Sequence, residues 1–175
     1  FNVKPLQVKA KTNTGMKILV KNPAEVGADR IVNALAGREK YGAPLIVADY
    51  GTAITFDVVS PEGDYLGGAI APGLQSGISA LFSKAAKLPQ VALSVPENVI
   101  GKNTEEAIQS GILFGNAGLT DRIIEMIRSQ DGLENAKVIA TGGHAGLMKK
   151  VSKNIDVVDN WLMLEGLKLI LTMNE

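Results

Sequence analysis

A carboxylate, a glycine and a hydroxyl stand together in Asp49-Tyr50-Gly51-Thr52-Ala53, directly after the apolar run Leu45-Ile46-Val47-Ala48. In such a turn, backbone amides and Thr52 could meet a phosphate while Asp49 holds a cation. The same five residues also read as an ordinary hairpin turn. A second spot is Gly27-Ala28-Asp29-Arg30, where a glycine lets a ligand approach the backbone and an acid and a base are adjacent. An Asp within reach of a substrate hydroxyl can act as general base for phosphoryl transfer, and an Arg can hold an anion by its guanidinium fork. The bland alternative is a surface ion pair on a helix.

Three further stretches carry weaker signals. Gly67-Gly68-Ala69-Ile70-Ala71-Pro72-Gly73 is either steric relief for tight packing or a wall where a ligand touches main chain, and Thr141-Gly142-Gly143-His144 is a turn whose amides could approach a nucleotide. In Gly101-Lys102-Asn103-Thr104, Thr104 is a helix cap or a hydroxyl offered to a ligand. The single histidine, His144, has no second imidazole for a metal site and reads as a loop residue. Gly111, Gly115 and Gly118 share one helix face, which suits either a dimer seam or packing within the chain.

These residues need elements to hold them. Val26, Ile31, Val32, Leu35 and Ala36 recur at helical spacing between Pro23 and Lys40, with Asp29 and Arg30 in the first turns. Leu45 to Ala48, Ala53 to Val59 and Tyr65 to Ile70 read as three strands in an antiparallel meander, and Leu74 to Ala86 as a helix over them. An extended stretch from Leu88 to Val95 precedes a long helix, capped at Asn103 or Thr104 and ending near Arg128. Lys137 to Thr141 is a buried strand, His144 to Val151 a short helix, and Trp161, Leu164, Leu167 and Leu171 mark a closing helix. Leu6 to Ala10 and Lys17 to Val20 read as short strands, and the chain, opening on Phe1, is expected to start inside a longer protein.

Composition narrows the class of partner. Eighteen basic residues balance eighteen acidic ones, so no net field draws in nucleic acid or an anionic membrane. Hydrophobic residues make up 46% of the 175, enough for a real core, and the absence of cysteine excludes thiolate metal sites and cysteine nucleophiles. With no stretch of membrane-spanning length, a cytoplasmic α/β protein acting on a small molecule is expected.

Taken in order, Asn22 to Arg30, Asp49 to Asp57, Gly67 to Gly73, Lys87-Leu88-Pro89, Gly101 to Thr104 and Ala140 to Gly143 resemble the type III pantothenate kinase family, also called the Bvg accessory factor family. The resemblance implies the ribonuclease-H-like fold of the acetate and sugar kinase/Hsp70/actin superfamily, a mixed sheet flanked by helices. Residues 1–22 would then be the remnant of an N-terminal half and 23–175 the C-terminal ribonuclease-H-like domain. It implies ATP-dependent phosphorylation of pantothenate with Mg-ATP as co-substrate. Asp29 would be the general base, and Gly27, Ala28 and Arg30 would line the pantothenate pocket. Asp49 would bind a monovalent cation, potassium or ammonium, and Thr52 would contact ATP. Thr104 would reach pantothenate from the other subunit of a homodimer.

Two features depart from the family pattern. Nothing before Val20 resembles the family's Asp-bearing phosphate loop, and Val20 stands where an aromatic residue often covers the substrate. A non-catalytic pantothenate- or nucleotide-binding or regulatory protein of the same fold is the alternative reading. A half of another kinase of the superfamily is disfavoured by the Gly27 to Arg30 and Gly101 to Thr104 segments.

Overall fold

Strand β1 (Leu45–Tyr50) is the centre of the structure, a computed structural model that describes residues 5–84 and 91–175. Lys87-Leu88-Pro89, the last residues of the expected Leu74 to Ala86 helix and the start of the extended stretch at Leu88 lie outside the described residues. On one side β1 pairs antiparallel with β2 (Ala53–Val59), which pairs antiparallel with β3 (Tyr65–Pro72). On the other side it runs parallel to β4 (Lys137–Thr141), itself parallel to the two-residue β5 (Val157–Val158). The result is a mixed sheet in the order β3-β2-β1-β4-β5. The meander and β4 stand where alternation and apolar runs put them, whereas β5 is too short to show a period-2 pattern.

Helices cover both faces. Ile46, Ala48, Tyr50, Ile54, Phe56 and Val58 point to one side, where they pack with Leu74 of α2 (Leu74–Lys84) and with Leu113, Ala117 and Ile124 of α3 (Thr104–Arg128). Their neighbours Leu45, Val47 and Val59 point to the other, against Ile31, Ala34 and Ala36 of α1 (Ala28–Tyr41) and Leu162 of α5 (Leu162–Met173). This is the two-residue alternation of a strand buried on both faces. The short α4 (Ala145–Met148) follows β4 and is half the length the sequence suggested for His144 to Val151.

Several expectations need correction. Leu6 to Ala10 is not a strand, and of Lys17 to Val20 only Ile18 makes a bridge, to Tyr65 at the start of β3. Arg38 holds that region by donating to the carbonyls of Thr14, Gly15 and Gly63. Pro23 opens a separate 3-10 turn (Pro23–Glu25), and α1 begins only after the extended Val26 and Gly27. The closing helix is present, but Trp161, Leu164, Leu167 and Leu171 face outward, while Leu162, Gly166 and Ile170 are its buried side. Gly166 decides this face: an added Cβ there would lie 2.7 Å from Val32 Cγ1 and 3.1 Å from Ala36 Cβ, so α5 rests on α1 through its smallest residue.

Candidate active site

The alternation that buries Leu45, Val47 and Val59 also aims Asp49, Thr55 and Asp57 at α1. A polar row therefore runs across β1 and β2 beneath the first turns of that helix. Asn33, one residue inside the buried stretch Ile31 to Gly37, donates from Nδ2 to Asp49 Oδ2 at 2.9 Å. Arg30 donates from Nε to Asp57 Oδ1 at 2.7 Å. Asp29, at the open N-terminal turn of α1, is exposed and close enough to Asp49 for its charge to be felt there. A carboxylate at this position is favoured by the unpaired amides of the helix start.

Asp49 ends the row at the C-terminal edge of the parallel pair β1 and β4, where open α/β sheets present their ligand sites. Burial pushes its carboxyl above the usual carboxylate range; the Asn33 hydrogen bond opposes the shift and the Asp29 charge adds to it. Asp49 makes no ion pair among the described residues. Among the described residues the Asn33 Oδ1 is buried without a hydrogen-bond partner. A half-buried carboxylate beside an unpartnered amide oxygen fits one weakly held cation. Among the described residues no cluster of three or more His, Cys, Asp or Glu offers the denser charge that suits a divalent ion.

The turns around Asp49 are set by main-chain crowding. Gly142 has φ +88°, and a Cβ there would collide with Asp49 Oδ1 and lie 2.8 Å from the backbone of Tyr50. Gly51 and Thr52 turn the chain from β1 into β2, and the Thr52 carbonyl accepts from the Gly73 amide at 3.2 Å and from Ser76 Oγ at 2.9 Å. The Thr52 residue itself is exposed on the outside of this turn. A Cβ at Gly68 would overlap the Phe56 carbonyl, and one at Gly73 would overlap that of Thr52. The glycines between 67 and 73 thus act as relief for close backbone packing.

Thr104 stands apart from this group. It opens α3, which packs on the opposite face of the sheet from α1. The cap is Asn103, whose Oδ1 accepts from the Glu106 amide at 2.9 Å, while Glu106 Oε2 accepts from the Lys102 amide at 2.8 Å. Thr104 is exposed and is not the capping residue. Arg30 likewise departs from the ion-pair alternative, since its partner is Asp57 across the sheet rather than neighbouring Asp29.

Two participants escaped the sequence reading. Asn33 lies four residues after Asp29, on the same side of the helix, in a run otherwise apolar. Asp57 follows Asp49 and Thr55 in strand register, so the polar positions of one face could have been read together. A cavity of about 370 Å³ between β3 and α3, lined by Val58, Leu66, Met126 and Leu133 among others, has no titratable side chain in its wall and lies away from this row.

Comparison with known proteins gives concordant results. The family profile described as type III pantothenate kinase matches residues 1–126. The type III pantothenate kinase of Citrifermentans bemidjiense is 51% identical over 175 residues, covering 100% of this chain and 68% of that protein. That of Geotalea daltonii is 51% identical over 174 residues, 99% of this chain and 68% of the relative. Among solved structures, a Baf family transcriptional activator from Campylobacter jejuni superposes with a TM-score of 0.61 at 22% identity, over 90% of this chain and 68% of that one. That similarity concerns the fold.

Proposed function

The chain belongs to the type III pantothenate kinase family, and from that premise we propose how its side chains divide the work of phosphorylating pantothenate with ATP, the opening reaction of coenzyme A synthesis. Asp29 removes the proton from the pantothenate hydroxyl as that oxygen attacks the γ-phosphorus; the bond to the ADP oxygen breaks, and phosphopantothenate and ADP leave. Gly27 and Ala28 let the substrate approach the backbone beside the base, and Arg30 binds an acceptor group of it. The observation that carries this reading is the polar row of Asp49, Thr55 and Asp57 directly beneath the helix turn that bears Asp29.

Asp49 and the unpartnered Asn33 oxygen are the groups we assign to the monovalent cation, potassium or ammonium, which when bound supplies positive charge beside the phosphates. Thr52, exposed in the turn that follows Asp49, is assigned to ATP, and magnesium arrives with the nucleotide. We also propose a homodimer in which Thr104 of one subunit contacts pantothenate held by the other. Three observations support it. Thr104 and Asp29 are on opposite faces of one sheet; Val99 and Ile100, just ahead of α3, are 67% and 78% exposed; and a Cβ at Gly111, Gly115 or Gly118 would meet nothing within 4 Å among the described residues. Residues 1–22 are read as the end of an N-terminal half, divided from residues 23–175 where Pro23 opens the 3-10 turn. Among the described residues no helix is long and apolar enough to cross a membrane, and we assign the protein to the cytoplasm.

The test is product formation by the full-length protein given ATP, magnesium, potassium and pantothenate, read by mass spectrometry. Phosphopantothenate appearing with ADP is the expected result. Tight pantothenate binding with no product would overturn the catalytic reading in favour of a binding protein.

A further inference from the structure

Asp57 has no exposed surface, and a lone buried carboxylate is strongly unfavourable unless it is paired and hydrogen-bonded. Three donors satisfy it. Arg30 Nε lies 2.7 Å from Oδ1, the Tyr65 hydroxyl donates to the same oxygen at 2.8 Å, and Thr55 Oγ1 donates to Oδ2 at 3.1 Å. The guanidinium carbon also sits 5.9 Å from the centre of the Tyr65 ring, which confines the side chain from a second direction.

What this arrangement leaves over is informative. Arginine commonly meets a carboxylate through two parallel N–H bonds. Here Tyr65 shares Oδ1 with Arg30 and Thr55 takes one site on Oδ2, and among the described residues Arg30 Nη2 is buried without a partner. Native structures rarely keep such a donor unpaired unless something else binds it. The nitrogen belongs to the residue next to Asp29, and it would lie 3.2 Å from a Cβ built on Gly68, so its surroundings are confined as well.

We infer that Asp57 is a positioning residue for substrate recognition: it fixes Arg30 through Nε so that the part of the guanidinium that stays accessible is presented to an acceptor oxygen of pantothenate. Tyr65 contributes by occupying Asp57 Oδ1. The inference rests on the pantothenate kinase reading above and adds a role for two residues that do not touch the substrate.

The test is a kinetic cycle on the full-length enzyme, with variants Asp57→Asn, Tyr65→Phe, Arg30→Lys and the two doubles that contain Arg30→Lys. Arg30→Lys keeps a cation opposite Asp57 and removes the remaining guanidinium N–H groups. Losing a hydrogen bond to a charged group corresponds to a rise of roughly tenfold or more in the pantothenate KM for Asp57→Asn. A smaller rise is expected for Tyr65→Phe, with the ATP KM changed less than about twofold in both. In the Arg30→Lys background both effects should vanish. Equal movement of the two KM values, or effects that persist in the Arg30→Lys background, would overturn the inference. If Asp57→Asn melts below the assay temperature, Tyr65→Phe decides on the same criteria. Wild-type enzyme that fails to phosphorylate pantothenate would remove the functional reading and the inference with it. A working wild type with unmoved KM values in the variants would remove the inference alone.

Discussion

Gly142 and Gly143 are adjacent, yet substitution by alanine should be costly at the first and nearly neutral at the second. At Gly142 the backbone has φ +88°, and the new Cβ would meet the Asp49 carboxylate and stand 2.8 Å from the Tyr50 main chain. The carboxylate could swing aside, but the backbone of β1 cannot move without disturbing its pairs with β2 and β4. A left-handed conformation at a residue with a Cβ adds about 1–2 kcal/mol, and overpacking a close contact adds about 1–3 kcal/mol. Together these give a destabilisation of roughly 2–5 kcal/mol, or a fall in the melting midpoint of about 4–20 °C for a chain of this size. Gly143 has no positive φ, and nothing lies within 4 Å of its Cβ position, so Gly143→Ala should stay within about 0.5 kcal/mol of wild type. Thermal unfolding followed by circular dichroism measures both. Equal midpoints for the two variants would refute the claim that Gly142 is required by its contact with Asp49 and Tyr50.

Asp49→Asn should leave the potassium-free protein as stable as wild type or up to about 1 kcal/mol more so, because it removes a charge that burial disfavours. The sign follows from the raised carboxyl: the folded state holds the proton more tightly, so the penalty is full above the folded value and fades as pH falls through it. Any rise in melting midpoint that potassium gives wild type over sodium should vanish in the variant; a potassium response that survives would count against Asp49 as the ligand. Subunits carrying Asp29→Asn, mixed with subunits carrying Thr104→Ala, should recover about a quarter of wild-type activity, since half the dimers would be mixed and each would keep one intact site of two. No recovery would mean that Thr104 serves its own subunit. At the far end of α1, burial alone would raise the Asp159 carboxyl, but donors from Lys40, Tyr41 and the Trp161 amide hold it below the ordinary value of 3.8. Its contribution is therefore present above that value and is lost as pH falls through the lower folded one. Asp159→Asn should be less stable than wild type by about 1–3 kcal/mol at neutral pH and converge with it in strong acid; a gap independent of pH would sink the assignment.

The strands that carry the site were legible because Ala53 to Val59 alternates and Leu45 to Ala48 and Val138 to Ala140 are continuously apolar, the two patterns that burial on one or both faces produces. The long helix from Thr104 to Arg128 was legible from its cap and acidic first turn. The closing helix was legible from Trp161, Leu164, Leu167 and Leu171, but its buried face was not, because the contact with α1 is made through Gly166. Residue size signals hydrophobicity, but close helix approach selects for its absence. Within the site, Asp29, Asp49 and Thr52 stood out through neighbouring glycines. Asn33 and Asp57 did not, because what marks them is a partner across space. Only the sheet register, which sets Asp49 and Asp57 on one face beneath α1, brings those pairs together.

The central claim is that Asp29 takes the proton from the pantothenate hydroxyl, and the most direct measurement is the turnover of full-length Asp29→Asn at saturating ATP and pantothenate. Asp29 is exposed at the start of α1 and takes no part in the core, so the variant should keep the wild-type melting midpoint within a degree or two. Its kcat should fall by about 10²–10⁴-fold while the pantothenate KM changes little. A folded Asp29→Asn enzyme that phosphorylates pantothenate at the wild-type rate would contradict the account.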